Sequence, residues 1–186
     1  MKKLFLLSAI ILLSIGCKTQ EVTQTYENRV IENPKPKLVI GIVVDQMRYD
    51  YLTRFYTKYS EGGFKRLMND GYNLKNTHLN YSSTKTAVGH TSIYTGTTPD
   101  IHGVLANDWY DKKSKKYINC VGNDNYTSVG TSSKKGEKSP YRNQVSTIGD
   151  QLHLSQNMRG KVIGISIKDR GAILPAGHSA NAAYWY

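Results

Sequence analysis

The sequence predicts an α/β domain built on a mostly parallel sheet flanked by helices. Two apolar, β-branched runs, 38–44 and 162–167, are too short for buried helices and are typical of strands covered on both faces. Between these runs, apolar residues recur at helical spacing in the segment that begins at Thr86. Strands that alternate with helices in this way favour parallel pairing through right-handed crossovers.

The composition fits one folded domain. A chain of 186 residues with 39% hydrophobic residues can bury a core, which excludes disorder throughout. The net charge of +11 raises the question of nucleic-acid binding. However, many of the lysines fall in two loop-like clusters, 112–116 and 134–138, and no nucleic-acid motif accompanies them. We expect solvated loops that attract anionic substrates, and no nucleic-acid partner.

The first sixteen residues have the pattern of a signal peptide. Two lysines precede an apolar stretch, 4–13, that is too short to span a membrane as a mature helix. A Ser-Ile-Gly-Cys sequence ending at Cys17 then resembles the lipobox of bacterial lipoproteins, with serine in place of the usual leucine. This predicts a lipid anchor on Cys17 and a periplasmic lipoprotein of the bacterial cell envelope. A secreted protein with an ordinary cleaved signal is the alternative.

The remaining chain divides into a tether and a domain. Residues 17–36 are polar and include two prolines, so they are interpreted as a tether. The domain occupies 37–186. Lipidation of Cys17 would leave Cys120 without a partner in the chain, which excludes a cysteine-based zinc site.

Local patterns predict the other elements. We expect a helix pair at 51–59 and 64–70, followed by a strand at 72–78. A short strand at 117–121 is expected within the long polar segment 110–140. The spacing of Val145, Ile148 and Leu152 predicts a helix that Gly160 ends, and a last strand is expected at 182–186. A polar segment as long as 110–140 is usually functional or an insertion. Gly96 and Pro99 end the Thr86 helix.

Polar groups that suit phosphoryl transfer follow these elements. Thr86 starts its helix, where free N–H groups and the helix dipole favour a phosphate or an alkoxide. The alternative, which this stretch alone favours, is that Thr86 only caps the helix. Asp45 follows the first predicted strand and could serve either as a ligand or as a helix cap. Lys168 and Arg170 follow the second predicted strand. They would either bind phosphate or form a solvated, extended strand end. Parallel strands would gather these groups at one sheet edge, where a metal could activate the hydroxyl.

The order of four motifs resembles the PafA-type bacterial alkaline phosphatases. These belong to the alkaline phosphatase superfamily, near the nucleotide pyrophosphatase/phosphodiesterases. The resemblance covers about 37–186. Its motifs are VDQMR at 44–48, TAVGHTS at 86–92, Gly103 with NDWYD at 107–111, and KDRG at 168–171.

The resemblance implies an alkaline-phosphatase-like fold that hydrolyses small phosphate monoesters with two zinc ions. In it, Asp45 corresponds to a ligand of the second zinc, and Thr86 to the nucleophile that also contacts that zinc. Asn107 corresponds to a side-chain donor to a phosphoryl oxygen. Lys168 and Arg170 correspond to the pair of cations that marks monoesterases.

The chain departs from this family in its metal ligands. The family's other ligands are an Asp with a His four residues later, an adjacent Asp-His pair and a last His, and the five histidines here do not replace them. We therefore expect structural or surface roles for these histidines. We also expect the chain to be the N-terminal part of a larger enzyme, truncated after about the first third to half and inactive alone.

Two other functions remain open. One is a phosphodiesterase or nucleotide pyrophosphatase of the same superfamily. The other is a non-catalytic, anchored phosphate-binding fragment. A sulfatase is excluded, since it requires a C/S-x-P-x-R motif that the sequence lacks.

Overall fold

The computed structural model describes residues 36–186. The predicted signal peptide (1–16), the lipidation site Cys17 and nearly all of the predicted tether (17–36) lie outside the described residues. The chain divides into two compact units after Gly41, and the described end of the first unit has neither helix nor strand. No helix between residues 36 and 186 has the length and hydrophobicity needed to cross a bilayer.

The second unit, Ile42–Tyr186, contains short helices and strands in alternation. In chain order they are α1 (Tyr51–Arg54), α2 (Phe64–Asp70), α3 (Thr86–Thr95), α4 (Pro99–His102), β1 (Asp108–Asp111), β2 (Lys116–Asn119), α5 (Ile148–Ser155), β3 (Ile163–Ile165), α6 (Asp169–Ala176) and β4 (Ala182–Tyr184). Single 3₁₀ turns occupy Tyr56–Lys58 and Lys134–Gly136.

The strands form two small sheets. β3 and β4 are parallel and are joined by α6, which confirms the α/β class, although no helix between these strands was predicted from the sequence. β1 and β2 form an antiparallel hairpin inside the long polar segment, and β2 accounts for the strand predicted there. The predicted last strand is β4.

A compact core holds the helices that carry the predicted site. Ala87 of α3 packs in one buried cluster with Ile173 and Leu174 of α6. Val104, Cys120 and Val121 complete the cluster. Gly164 allows α6 to approach β3, because a Cβ at this position would lie 2.1 Å from the Ala172 carbonyl oxygen. The core therefore places the first turns of α3 and α6 side by side.

Local interactions set the boundaries of two helices, and one of these boundaries, the end of α3, was predicted from the sequence. α3 ends at Thr95 because Gly96 adopts a left-handed conformation, with φ of 68°. α5 starts with a capping box in which Thr147 and Asp150 each accept a backbone N–H from the other. α5 ends at Ser155, however, and not at the predicted Gly160.

Two predicted strands are wrong, and a third is less buried than predicted. Residues 38–44 and 72–78 form no strand, and Ile42 is 80% exposed. β3 is a strand, but Ile165 is 78% exposed, so it is not covered on both faces. A strand needs neighbours that pair with its N–H and C=O groups, and no described residue pairs with the backbone of 38–44. Hydrophobic pattern indicates which surface can be covered, not whether the covering residues are present.

Candidate active site

Thr86 is the first residue of α3, and its hydroxyl does not cap the helix. The N-cap is Lys85, whose backbone is extended and whose side chain makes no capping hydrogen bond. The Thr86 hydroxyl donates instead to Asp45 Oδ2 at 2.9 Å. The capping alternative for Thr86 is therefore wrong. A hydroxyl and a carboxylate from distant parts of the chain meet at the positive end of a helix.

Asp45 lies in a turn and also does not cap a helix. The N-cap of α1 is Asp50. Gln46, next to Asp45, has a left-handed backbone with φ of 58°, which is uncommon for a residue other than glycine. Lys168 Nζ lies 4.0 Å from Asp45 Oδ2, and both side chains are partly exposed. The carboxylate therefore faces both the threonine hydroxyl and a cation.

Asn107 is held by the helix that Thr86 begins. Its Oδ1 accepts a hydrogen bond from the Ala87 N–H at 3.0 Å, which satisfies one of the free N–H groups at the start of α3. Because Oδ1 is engaged, the amide orientation is fixed. Among residues 36–186, Nδ2 has no hydrogen-bond partner. The amide NH₂ is thus available to an added acceptor, such as a phosphoryl oxygen.

Lys168 and Arg170 stand at the start of α6. Lys168 is the N-cap, and Arg170 lies in the first helical turn rather than on the extended strand end that the sequence predicts. Arg170 Nη1 lies 3.5 Å from Asp169 Oδ1. Its Nε is buried and has no hydrogen-bond partner within the described part of the chain. An unpaired guanidinium nitrogen in this position favours an anionic ligand.

All five predicted site residues line one cavity of about 420 Å³. These are Asp45, Thr86, Asn107, Lys168 and Arg170. Sequence reasoning missed four other lining residues: Gln46, Thr84, Lys85 and Asp108. Of these, Asp108 carried a signal, because it follows Asn107 directly; its Oδ1 accepts from Asn119 Nδ2 at 2.9 Å.

The metal-binding capacity of residues 36–186 is limited. Within this range no three side chains of His, Cys, Asp or Glu come together as metal ligands. Asp45 Oδ2 and the Thr86 hydroxyl provide two oxygen atoms in one cavity that could serve as two of the ligands of a zinc ion. Cys120 is a free, buried cysteine, and burial raises the pKa of its thiol to about 12.

The histidines near the site make structural hydrogen bonds. His90 Nδ1 lies 2.8 Å from the Thr86 carbonyl oxygen and donates to it. His102 Nδ1 accepts from the Val104 N–H, which leaves Nε2 to donate to Ser92 Oγ at 2.9 Å. Burial lowers the pKa of His102, although Asp100 opposes the shift. These contacts hold α3 and α4 together.

The remaining histidines also bond to protein groups. His153 Nε2 donates to the Gly160 carbonyl at 3.0 Å, and His178 Nε2 donates to the Asn143 carbonyl at 2.8 Å. His78 Nε2 lies 2.8 Å from Asn76 Oδ1.

Comparison with known proteins identifies the family of this chain. The sequence model of the type I phosphodiesterase / nucleotide pyrophosphatase family matches residues 39–186. The chain is 53% identical over 154 residues to the alkaline phosphatase PafA of Elizabethkingia meningoseptica, a match that covers 82% of this chain and 28% of that protein. It is also 53% identical over 152 residues to the alkaline phosphatase PhoV of Synechococcus elongatus, covering 82% of this chain and 28% of that protein.

A crystal structure of a PafA variant has the same fold over the matched region. The TM-score is 0.80 at 51% identity, covering 82% of this chain and 30% of that one. That variant carries substitutions of a threonine, an asparagine, a lysine and an arginine. Along the sequence, the substituted threonine and asparagine of that variant are as far apart as Thr86 and Asn107 here. The substituted lysine and arginine are as far apart as Lys168 and Arg170. The fold is thus alkaline-phosphatase-like, and the chain spans about 28% of the length of the curated relatives that it matches.

Proposed function

The chain belongs to the type I phosphodiesterase / nucleotide pyrophosphatase family, and we propose that it supplies the nucleophile and phosphate-binding side chains of an alkaline phosphatase-type hydrolase acting on small phosphate monoesters. One observation carries the proposal. A threonine hydroxyl at a helix start, a carboxylate, a fixed amide and two cations line a single cavity. The names of the related alkaline phosphatases support the same activity.

Thr86 is the proposed nucleophile. Its oxygen would form a bond to phosphorus as the ester P–O bond breaks, and water would then release phosphate from the threonine. The start of α3 favours negative charge at this oxygen. Asp45 Oδ2, 2.9 Å from the hydroxyl oxygen, orients it toward the cavity.

Asn107, Lys168 and Arg170 bind the non-bridging oxygens. A phosphate monoester carries close to two negative charges near neutral pH, whereas a diester carries one. The second cation therefore stabilises a monoester more than a diester. The planar fork of Arg170 can bind two oxygens at once, and its buried Nε has no partner among residues 36–186.

Two zinc ions form part of the proposal. Asp45 and Thr86 would hold one of them from this chain, since both present oxygen donors to the cavity. When bound, zinc keeps the nucleophilic oxygen deprotonated and offsets charge on the phosphoryl group. The remaining ligands are proposed to come from the complete enzyme, because residues 36–186 bring together no three-ligand cluster.

We also propose that the enzyme is a periplasmic lipoprotein of the cell envelope, anchored through Cys17. The support is the short apolar leader and the lipobox-like sequence that precedes Cys17.

Phosphodiester or nucleotide pyrophosphate hydrolysis is a second candidate function. The description of the matching family favours it directly. A diester must place a second ester group near the phosphoryl oxygens, where Lys168 and Arg170 lie. The two cations at the start of α6 therefore favour the monoester.

Arg170→Ala in the complete enzyme separates the two candidates. The assay is kcat/KM for a matched aryl phosphate monoester and diester. Loss of one charge-assisted contact should reduce transition-state stabilisation of the monoester by about 2–4 kcal/mol, and of the diester much less. Thr86→Ala should depress both. Equal losses on the two substrates for Arg170→Ala would contradict the monoesterase assignment.

A further inference from the structure

A second cavity, of about 500 Å³, lies next to the candidate active site and is strongly basic. Its charged lining consists of five cations and one carboxylate: Lys134, Lys135, Lys138, Lys168, Arg170 and Asp169. Cations gathered around a concave surface raise the local concentration of anions. We call this second cavity the basic cavity.

The basic cavity and the active-site cavity share two residues, Lys168 and Arg170. A phosphoryl group at Thr86 and an anion in the basic cavity would therefore lie on two sides of the same pair of cations. The two cavities therefore adjoin at these two side chains.

The charge in the basic cavity is only partly neutralised by the protein. Lys138 Nζ lies 3.3 Å from Asp169 Oδ2, and Arg170 Nη1 lies 3.5 Å from Asp169 Oδ1. Asp169 thus forms ion pairs with both of these cations. Lys134 and Lys135 form no salt bridge with any described residue. Two positive charges remain available to a ligand.

The loop that carries these lysines is tied to the core. The Gly136 N–H donates to Ser128 Oγ at 3.1 Å, and Ser133 Oγ accepts from the Lys135 N–H at 3.3 Å. The Ser139 N–H donates to the carbonyl of Val121, a fully buried residue, at 2.8 Å. The backbone at Lys134 and Lys135 is therefore held beside the cavity.

The other lysine cluster offers a contrast. Residues 112–116 span the turn of the β1–β2 hairpin and the start of β2, and they line neither cavity. The two clusters have similar sequences but different surroundings. Only the cluster at 134–138 lines a cavity that shares residues with the active-site cavity.

We propose that the basic cavity binds a second phosphate of the substrate, so that the enzyme prefers phosphate monoesters whose leaving group carries another phosphate. This inference rests on the proposed monoesterase function. Lys134 and Lys135 would contact the second phosphate, which is not transferred, while Lys168 and Arg170 lie between the two phosphates.

The test uses the complete enzyme and the double variant Lys134→Ala/Lys135→Ala. Initial rates are measured on a sugar bisphosphate and on the corresponding sugar monophosphate. The variant should lose roughly tenfold in its preference for the bisphosphate, through KM, and change little on the monophosphate. The matched control, Lys112→Ala/Lys113→Ala, removes the same charge from the hairpin turn and should keep the preference.

Direct binding separates failure of this inference from failure of the proposed function. Inorganic pyrophosphate is titrated into the parent enzyme and both double variants by calorimetry. We expect roughly tenfold weaker binding only for Lys134→Ala/Lys135→Ala. Unchanged preference and unchanged pyrophosphate affinity would overturn the inference, even if Thr86→Ala abolishes turnover. Turnover that survives Thr86→Ala would instead overturn the proposed function. In that case the pyrophosphate titration would still show whether the basic cavity binds a phosphate group.

Discussion

Asp150 provides a quantitative test of how the fold is held together. Its Oδ2 accepts from the Thr147 N–H at 2.8 Å and the Thr147 hydroxyl at 3.1 Å. Its Oδ1 accepts from the Ser179 N–H and hydroxyl, both at 2.8 Å. These bonds join the start of α5 to the loop between α6 and β4. Removing the charge should loosen the loop that follows α6.

The size of the effect follows from the pKa of Asp150. Burial would raise this pKa, but the hydrogen bonds from Thr147, Ser179 and His178 lower it from 3.8 to about 2. Because the folded-state pKa lies below the unfolded value, the ionised carboxylate stabilises the fold above pH 4. That stabilisation is lost as the pH falls toward 2. A shift of this size corresponds to about 2 kcal/mol.

Asp150→Asn should therefore lower the free energy of unfolding by about 2–4 kcal/mol at pH 7. In the variant, the amide NH₂ group faces N–H and hydroxyl donors that bond to a carboxylate oxygen in the parent, so those donors lose their acceptor. Urea unfolding of the complete enzyme, followed by intrinsic tryptophan fluorescence, measures the difference.

The difference between parent and variant should shrink by about 2 kcal/mol between pH 7 and pH 2, where Asp150 of the parent is protonated in the unfolded state and about half protonated in the folded state. Asp124→Asn is the matched control, since Asp124 is exposed and its side chain forms no hydrogen bond within the described residues. A stability difference that is absent at pH 7, or that is the same at both pH values, would refute the reasoning.

Two further predictions concern processing and completeness. Cys17→Ala should release the protein into the soluble fraction or leave it unprocessed, as judged by membrane fractionation and the mass of the mature chain; a processed variant that fractionates like the parent would contradict the lipid anchor. Residues 1–186 alone should show no substantial zinc-dependent hydrolysis of an aryl phosphate, because residues 36–186 bring together no three-ligand metal cluster. Turnover by this segment comparable with that of the complete enzyme would show that the missing ligands are not needed.

The parts of the fold that could be predicted from sequence depend on local chemistry. The end of α3 was predicted correctly because the glycine that follows it acts within a few residues. The failed strand at 38–44 depends instead on pairing with distant neighbours. β3 and β4 were predicted because each has its own strand pattern, and they lie close enough in sequence to pair with each other, whereas α6 between them was not predicted.

The candidate site shows the same division. Asp45, Thr86 and Lys168 share one cavity as expected, although the strand on which the expectation for Asp45 rested does not form. The position of Arg170 within a helical turn could not be expected, because the strand pattern does not mark where α6 begins. Likewise, sequence alone does not distinguish the lysine cluster at the hairpin turn from the one beside the active site, since only the tertiary fold separates them.

The nucleophilic role of Thr86 is the central claim, and trapping the phosphorylated enzyme tests it most directly. The complete enzyme is mixed with an aryl phosphate, quenched in acid within one turnover, digested and analysed by mass spectrometry. We predict one added phosphoryl group on the peptide that contains Thr86, and none in a Thr86→Ala variant treated in the same way. A phosphoryl group on another residue of the active enzyme would contradict the account.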